Sequence, residues 1–410
     1  MRVLYLSQYF PPEVGATQTR AYEMARNLVR LGHQVTMIAE IPNHPTGIIP
    51  PEYRGKLVER VDLDGIDVIR IWVKTSPTKN TSTRMAFYLS YMFNAVLAGL
   101  LLARGRYDAV YATSPPLFVA CAGWALSRLR RLPFVFEVRD LWPAVAVSLG
   151  ELSNPRIIRM AERVERFLYR RAAAIVAVTR GFCEHIQKCG VPPEKITWIP
   201  NGTIPELFDP ARGDDGLRIK LGLSGKFIVT FAGLHGLAQG LPAVLKAARH
   251  LRDTPEIVFL FVGEGPVKSE LIAIKEREEL DNVLFLPEVP RDAVVPYLNM
   301  SDLLLVPLKD DKIFETFIPS KLFDFMACAR PIILSVPGEA KEILDEAGAG
   351  VFVPPEDGQR LAAVVLELWQ DPARLEQFGH QGREYVIQHF SRKAQAEQLA
   401  ELLRKLLNVL

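Results

Sequence analysis

Short apolar runs alternate along this chain with longer stretches whose apolar residues recur every three or four positions. Residues 3–10 form one such run, ended by Pro11 and Pro12, and a loop with Gly15 and Ala16 follows. From 18 to 31, Ala21, Met24, Ala25, Leu28 and Leu31 share one helix face, and Gly32 closes the segment as a C-terminal cap. Residues 34–39 read as the next strand. A strand–helix–strand unit this short predicts parallel strands joined by a right-handed crossover. Buried-type strands are predicted again at 108–112, 134–138 and 174–178, with helical segments between them.

Ile199-Pro200-Asn201-Gly202 interrupts the pattern, and the polar stretch 209–216 reads as a loop. A second series then begins: strands at 227–231, 257–262, 283–286, 303–306, 332–334 and 350–353, with helices such as 241–251 and 267–279 between them. A helix at 391–410 follows all the strands. The pattern predicts an α/β chain of two doubly wound domains in series. In open parallel sheets ligands bind beyond the C-terminal strand ends, and two such domains facing each other make a cleft.

Composition narrows the function classes. Of 410 residues, 49% are hydrophobic and 23% charged, which excludes wholesale disorder. A formal net charge of +2 gives no electrostatic footprint for nucleic acid. The four cysteines, 121, 183, 189 and 328, have neither C-x-x-C spacing nor histidines at ligand spacing. That argues against a disulfide scaffold or a structural zinc, and for a reducing compartment. The apolar run at the N-terminus is too short for a secretion signal and reads as a strand, so a cytoplasmic protein is expected.

The segment with most chemical content is Ile318-Pro319-Ser320-Lys321-Leu322-Phe323-Asp324. Pro and Ser suit a helix start, whose N–H groups and positive dipole end hold anions such as a diphosphate. Lys321 adds charge there, and Asp324, one turn on, can accept two hydrogen bonds from a ribose diol. The plain alternative is a capped surface helix. Gly233, Gly236 and Gly240 precede another helix and let backbone approach a phosphate, with His235 and Gln239 as the polar side chains; a tight turn is the alternative. Gly263 and Gly265 form a G-x-G at a strand end without the third glycine of a dinucleotide fingerprint. Glu137, Arg139, Asp140 and Trp142 leave a buried strand at its C-terminal end, where a charged triplet beside an indole could bind a sugar face and orient a hydroxyl; an ion pair is the alternative. Asp62-Leu63-Asp64-Gly65 mimics a D-x-D metal motif but reads as a hairpin tip.

Residues 86–103 carry no charge and are flanked by Arg84, Arg104 and Arg106. A membrane span there would separate strands that must share one sheet. Two readings remain, a buried crossover helix and an interfacial helix, the latter aided by Arg128, Arg130 and Arg131.

Gln8-Tyr9-Phe10-Pro11-Pro12, Gly32-His33-Gln34-Val35-Thr36, Arg139-Asp140-Leu141-Trp142-Pro143, Ile199-Pro200-Asn201-Gly202, Ala238-Gln239-Gly240-Leu241, Gly263-Glu264-Gly265-Pro266 and Pro319-Ser320-Lys321-Leu322 together resemble the family 4 glycosyltransferases of the GT-B fold, over essentially the whole chain. The subgroup resembled is that of bacterial colanic-acid and L-fucosamine transferases, which move N-acetylated amino sugars. The resemblance implies two Rossmann-like domains facing across a cleft: an acceptor-side domain at 1–199, onto which helix 391–410 crosses back, and a nucleotide-sugar domain at 200–390. It implies a retaining enzyme with a UDP-sugar donor, no cofactor and no metal. Uracil would lie near Pro287 and Val289, and the ribose at Asp324. The diphosphate would sit on Ile318, Pro319, Ser320 and Lys321 and on the loops holding Gly233, His235, Gln239, Gly240, Gly263 and Gly265. Glu13, Gly15, Arg139 and Asp140 would meet the acceptor, with Glu13, Arg139 and Asp140 as the catalytic candidates. The acceptor would be an undecaprenyl-diphosphate-linked saccharide at the inner face of the plasma membrane, in surface polysaccharide assembly.

Two positions depart from the family pattern. Its E-x7-E pair reads Thr316 and Asp324, with Glu315 one residue off. Its basic pair after the first strand of the second domain reads Leu234 and Gln239, which leaves Lys321 and His235 to supply positive charge. A nucleotide-sugar 2-epimerase and a non-catalytic binding module are the alternatives on the same fold.

Overall fold

The computed structural model describes residues 1–13, 15–78, 81–150 and 152–409, so residue 410 of the expected final helix lies outside it. The chain divides into two compact units, Met1–Pro200 with Arg392–Leu410, and Asn201–Ser391.

The first unit holds strands β1 (Arg2–Leu6), β2 (Gln34–Glu40), β3 (Val58–Leu63), β4 (Ile66–Ile71), β5 (Ala109–Thr113), β6 (Phe134–Val138), β7 (Ala174–Ala177) and β8 (Ile196–Trp198). They lie in the order β3-β4-β2-β1-β5-β6-β7-β8. Every neighbouring pair is parallel except β3–β4, a hairpin turned by Asp64 and Gly65, both at positive φ. The aspartates at its tip therefore serve the turn, as their sequence suggests. The first strand ends at Leu6, short of the apolar run, although the Ser7 N–H still donates to the Ile38 carbonyl at 3.2 Å and the Glu40 N–H to the Gln8 carbonyl at 2.9 Å. Helices α1 (Ala16–Arg30), α2 (Thr81–Leu101), α3 (Leu117–Arg130), α4 (Ala144–Ser148), α5 (Pro155–Arg171) and α6 (Arg180–Lys188) cover the sheet.

The polar positions of α1 are as instructive as its apolar ones. Ala21, Met24, Ala25 and Leu28 meet the sheet as their spacing predicts, yet Gln18, Arg20, Glu23 and Asn27 are buried as well. The final helix, packed on α1 through Ala396, Leu399, Ala400 and Leu403, contributes to the same core.

α2 is not the buried crossover helix of the first reading. Its inner face packs on β2, β4 and α3, and the Tyr91 hydroxyl donates to the Ile38 carbonyl of β2 at 2.8 Å. Its outer face leaves Phe93 62% and Leu101 69% exposed, with Leu97 beside them. By length and composition it could cross a membrane, but it is a working layer of this sheet.

The second unit holds β9 (Phe227–Ala232), β10 (Ile257–Val262), β11 (Val283–Leu286), β12 (Leu303–Pro307), β13 (Ile332–Ser335) and β14 (Gly350–Phe352), all parallel, in the order β11-β10-β9-β12-β13-β14. Its helices are α7 (Asp215–Lys220), α8 (Leu241–His250), α9 (Lys268–Arg277), α10 (Val295–Met300), α11 (Lys321–Ala327), α12 (Glu339–Ala347), α13 (Gly358–Trp369) and α14 (Pro372–His389). The last, α15 (Arg392–Val409), belongs to the first unit. Each central strand of this sheet is buried on both faces, as a sheet covered by helices on both sides requires.

Candidate functional site

In the second unit, the loops after β9 and β10 and the start of α11 converge on Lys321. Its Nζ lies 4.0 Å from the centre of the Phe231 ring and 3.5 Å from Gln239 Oε1. Gly233 sits at φ +135°, which favours glycine, and a Cβ there would stand 2.9 Å from the same nitrogen. Burial pushes the Lys321 ammonium down to about 7 from 10.5, with no carboxylate to offset it. A desolvated cation without a counter-ion, beside a glycine-rich loop, is built to meet an anion. Ser320 does not cap α11, because its backbone is already helical (φ −60°, ψ −26°) and its side chain makes no capping bond. Pro319 stands before that position, half-buried, and Ile318 is buried beneath.

His235 cannot add the positive charge expected of it. It is fully buried, its ring facing Phe231, Phe261 and Phe285 at 5.6–6.1 Å, and neither ring nitrogen has a hydrogen-bond partner. Burial pushes its pKa down to about 4, with Lys268 and Lys321 adding to the effect, so the ring is neutral near pH 7. Gly263 and Gly265 have a packing role of their own. A Cβ on Gly263 would lie 2.0 Å from the Gly233 carbonyl oxygen, and one on Gly265 2.4 Å from that of His235. Both glycines let two loops touch backbone to backbone, supporting the Gly233 loop from behind. Gly240 does the same against the Leu308 carbonyl at 3.0 Å.

Asp324 is held by its own unit: Thr203 Oγ1 donates to its Oδ1 at 2.8 Å, and an Arg291 guanidinium nitrogen is 3.5 Å from the same oxygen. Thr316 turns inward, donating to the Ile313 carbonyl, and Glu315 is exposed. Pro287 is exposed and Val289 half-buried, in the open loop after β11. Lys268 fixes that loop's base. Its Nζ donates to the Gly263 carbonyl at 2.8 Å, to Glu264 Oε1 at 2.6 Å and to the Leu286 carbonyl at 2.9 Å. Sequence reasoning missed Lys268, Thr203 and Arg291; none stands in a motif, and each acts across a fold of the chain.

In the first unit, the candidates gather at the C-terminal ends of β1, β2 and β6. Gly15 is the residue before α1, at φ 156°. Arg139, expected at the acceptor, spends its guanidinium on the start of α1. Nη1 donates to the Thr17 carbonyl at 3.2 Å and Nη2 to that of Ala16 at 2.9 Å. These bonds hold the first turn of α1, while Nε is buried without a hydrogen-bond partner. Glu137 is likewise structural, fully buried and paired with the buried Arg20 of α1 at 2.9 Å. That partner was also missed, although a charged residue beside Ala21 on an apolar face is the signal that could have found it.

Asp140 differs from both. Its Oδ1 is buried without a hydrogen-bond partner, and burial raises its carboxyl to about 7 against the pull of Arg139 and a Leu141 N–H. Glu13 accepts from the N–H groups of Asn43 and His44, both at 2.7 Å, and burial raises it to about 7 as well. It shapes the loop after β2. Beside it Glu40, wholly buried and raised well above 4.5, accepts from Gln8 and Asn43 at 2.8 Å each. A carboxyl near pH 7 with a free oxygen is the form a general base takes; Asp140 has it, and so does Glu13, whose Oε2 is buried without a hydrogen-bond partner. Among the described residues no group of three or more His, Cys, Asp and Glu side chains could hold a metal ion.

Comparison with known proteins supplies the family. The model of the "Glycosyl transferase 4-like domain" matches residues 15–202, and that of "Glycosyl transferases group 1" matches residues 215–385. The chain is a family 4 glycosyltransferase. A relative in Escherichia coli (strain K12), named as the colanic acid biosynthesis glycosyl transferase WcaI, is 25% identical over 378 residues, covering 90% of this glycosyltransferase and 92% of the relative. Among solved structures, the enzyme superposes on a sucrose-phosphate synthase from Thermosynechococcus elongatus with a TM-score of 0.79 and 18% identity, over 100% of both chains. It superposes on Anabaena HepE in complex with UDP-glucose with a TM-score of 0.73 and 18% identity, over 99% of its own chain and 100% of the other. These neighbours place the glycosyltransferase in the GT-B fold.

Proposed function

We propose that this glycosyltransferase moves an N-acetylated amino sugar, with retention of configuration and without a metal, from a UDP-sugar to a lipid-diphosphate-linked saccharide in surface polysaccharide assembly. The observation that carries the reading is Lys321, a desolvated ammonium without a counter-ion beside the Gly233 loop. A UDP diphosphate supplies the missing anion. The complex of HepE with UDP-glucose and the polysaccharide role in the name of the E. coli relative support donor class and setting. In the transfer, the bond from the anomeric carbon to the distal phosphate oxygen breaks and its electron pair leaves with UDP. The acceptor oxygen bonds that carbon, and its proton passes to Asp140. Lys321 and the loop N–H groups stabilise the departing charge.

The test is a thermal-shift panel of UDP-, GDP-, ADP- and dTDP-sugars. A ligand at a hundred times its Kd adds roughly 2.7 kcal/mol of stability by mass action, so the true donor should stand apart. UDP-N-acetylamino sugars are expected to give the largest shift. An equal shift across the four nucleotides would remove the UDP reading.

A peripheral position on the cytoplasmic face of an anionic membrane belongs to the same proposal. It is supported by the exposed outer face of α2, by exposed Arg104, Arg106, Arg128 and Arg131 near its C-terminal end, and by a groove of about 410 Å³ lined by Arg163, Arg166, Arg170 and Arg171 on α5. Arg130 drops out of the expected basic set: it donates to the carbonyls of Leu100, Ala103 and Gly105 and so caps α2. Replacing Phe93 and Leu97 with serine and Arg128 and Arg131 with glutamine should move the protein from the floating to the soluble fraction in vesicle flotation with anionic phospholipid. Unchanged flotation would defeat the membrane reading.

A further inference from the structure

The Trp142 indole ends a row of rings that the transfer step above does not use. Ring centres follow one another at 6.3 Å to Phe118, 5.7 Å to Tyr88, 5.4 Å to Phe87 and 6.5 Å to Tyr9. All five rings are half-buried, each showing part of its surface to solvent. They stand on the loops after β1 and β6, on the second turn of α2 and on the first turn of α3, so they follow the C-terminal edge of the parallel sheet. At the Tyr9 end the row opens into a cavity of about 240 Å³. Its wall combines the rings of Tyr9, Phe87 and Tyr88 with the polar side chains of Asn43, Thr83 and Arg84.

Rings for one face and hydrogen-bonding groups for a rim suit a pyranose, whose C–H faces are apolar and whose edge carries hydroxyls. An acyl chain has no use for the polar rim, and the cavity has no glycine-rich loop of the kind that takes a nucleotide's phosphates. The sheet order places β1 and β5 between β2, whose following loop lines the cavity, and β6, which leads to Asp140. Three strand spacings separate them, about 14 Å. A ring seated in the cavity is therefore too far from Asp140 to be the one that reacts.

We propose that this cavity and aromatic row form an acceptor subsite, which holds a sugar unit of the acceptor remote from the hydroxyl being glycosylated. The acceptor is then a saccharide of at least two units. The inference rests on the reading of Asp140 as the reacting edge.

The test presents the full chain to a printed array of bacterial surface mono-, di- and trisaccharides, alongside Phe87→Leu and Tyr88→Leu. Both positions are half-exposed, and leucine keeps apolar volume while removing the ring face, so unchanged melting temperatures confirm folded variants. Binding is expected only for glycans of two or more units, about tenfold weaker in either variant, with the thermal shift by UDP unchanged. Equal binding by wild type and both variants, equal binding of monosaccharides, or no glycan bound by the wild type would each overturn the subsite. Ring-dependent glycan binding without any UDP shift would instead support the subsite and sink the donor reading.

Discussion

Replacing Lys321 with methionine is expected to cut donor turnover by about a hundred- to a thousandfold and, in the same protein, to raise the stability of the free enzyme near pH 7. The two effects share one cause. Burial without a counter-ion holds the ammonium at about 7, so folding must desolvate a charge or shed a proton. An unfolded lysine keeps its proton up to about pH 10.5. Between pH 7 and that value the unfolded chain binds more protons than the folded one, so stability rises with pH there, by at most about 1.4 kcal/mol per unit. The methionine variant should lack this slope and be the more stable protein at pH 7 and below.

Donor binding runs the other way. A diphosphate favours the charged form, so UDP binding takes up a proton above pH 7, and affinity should fall by up to tenfold per unit from there. A charge-assisted hydrogen bond contributes about 1.5–3 kcal/mol to binding, and removing one donor aimed at developing charge costs about a hundred- to a thousandfold in rate. Calorimetric titration with UDP from pH 6 to 9, with urea denaturation at the same values, measures both. Undiminished UDP affinity in Lys321→Met, or wild-type affinity independent of pH between 7 and 9, would contradict the assignment.

The second large effect is on stability alone. Arg20→Met is expected to lower the unfolding free energy of the first unit by about 3–5 kcal/mol, the usual cost of removing one partner of a buried pair. Arg20 Nε donates to Glu137 at 2.9 Å, Nη1 to the Pro200 carbonyl at 2.6 Å and Nη2 to that of Ile199 at 2.9 Å. One side chain thus ties α1, β6 and the end of β8. Burial opposes ionisation of Glu137, but Arg20 and Arg139 outweigh it and hold the carboxyl below its usual 4.5. In the wild type this contribution is present above the unfolded carboxyl's pKa and is lost as pH falls. Without Arg20 the folded pKa rises above the unfolded one, and the sign inverts: the variant's deficit should shrink in acid and grow towards neutrality. Urea midpoints at pH 4, 5.5 and 7 follow this, and Glu137→Leu added to Arg20→Met should recover part of the loss. A loss below 1 kcal/mol at pH 7 would contradict the pairing.

The two effects mark where sequence reading succeeds and where it stops. The spacing of Ala21, Met24, Ala25 and Leu28 sufficed for α1, and the apolar runs at 257–262 and 303–306 for central strands, because local pattern decides which face a segment buries. The same pattern left α2 open between a buried and an interfacial helix. An uncharged stretch is compatible with a core helix and an exposed one, and only packing against α3 and the sheet shows which face is left out. Lys321 was legible as a candidate cation from its place behind Pro319 and Ser320. His235 was legible as a polar residue in a glycine loop, and wrongly expected to be charged.

What the amino-acid order determined by itself is the succession of strands and helices, the two doubly wound domains, and the short strings that gather at the C-terminal strand ends of each unit. What only the tertiary structure decided is the electrical state and employment of the side chains on those edges: that Lys321 is desolvated, His235 neutral, Arg139 tied to α1, and Asp140 free to take a proton. Periodicity is written in neighbouring residues. Desolvation and pairing depend on groups far apart in the chain, as Arg20 and Glu137 are, and arise only when strands from distant segments close into one sheet.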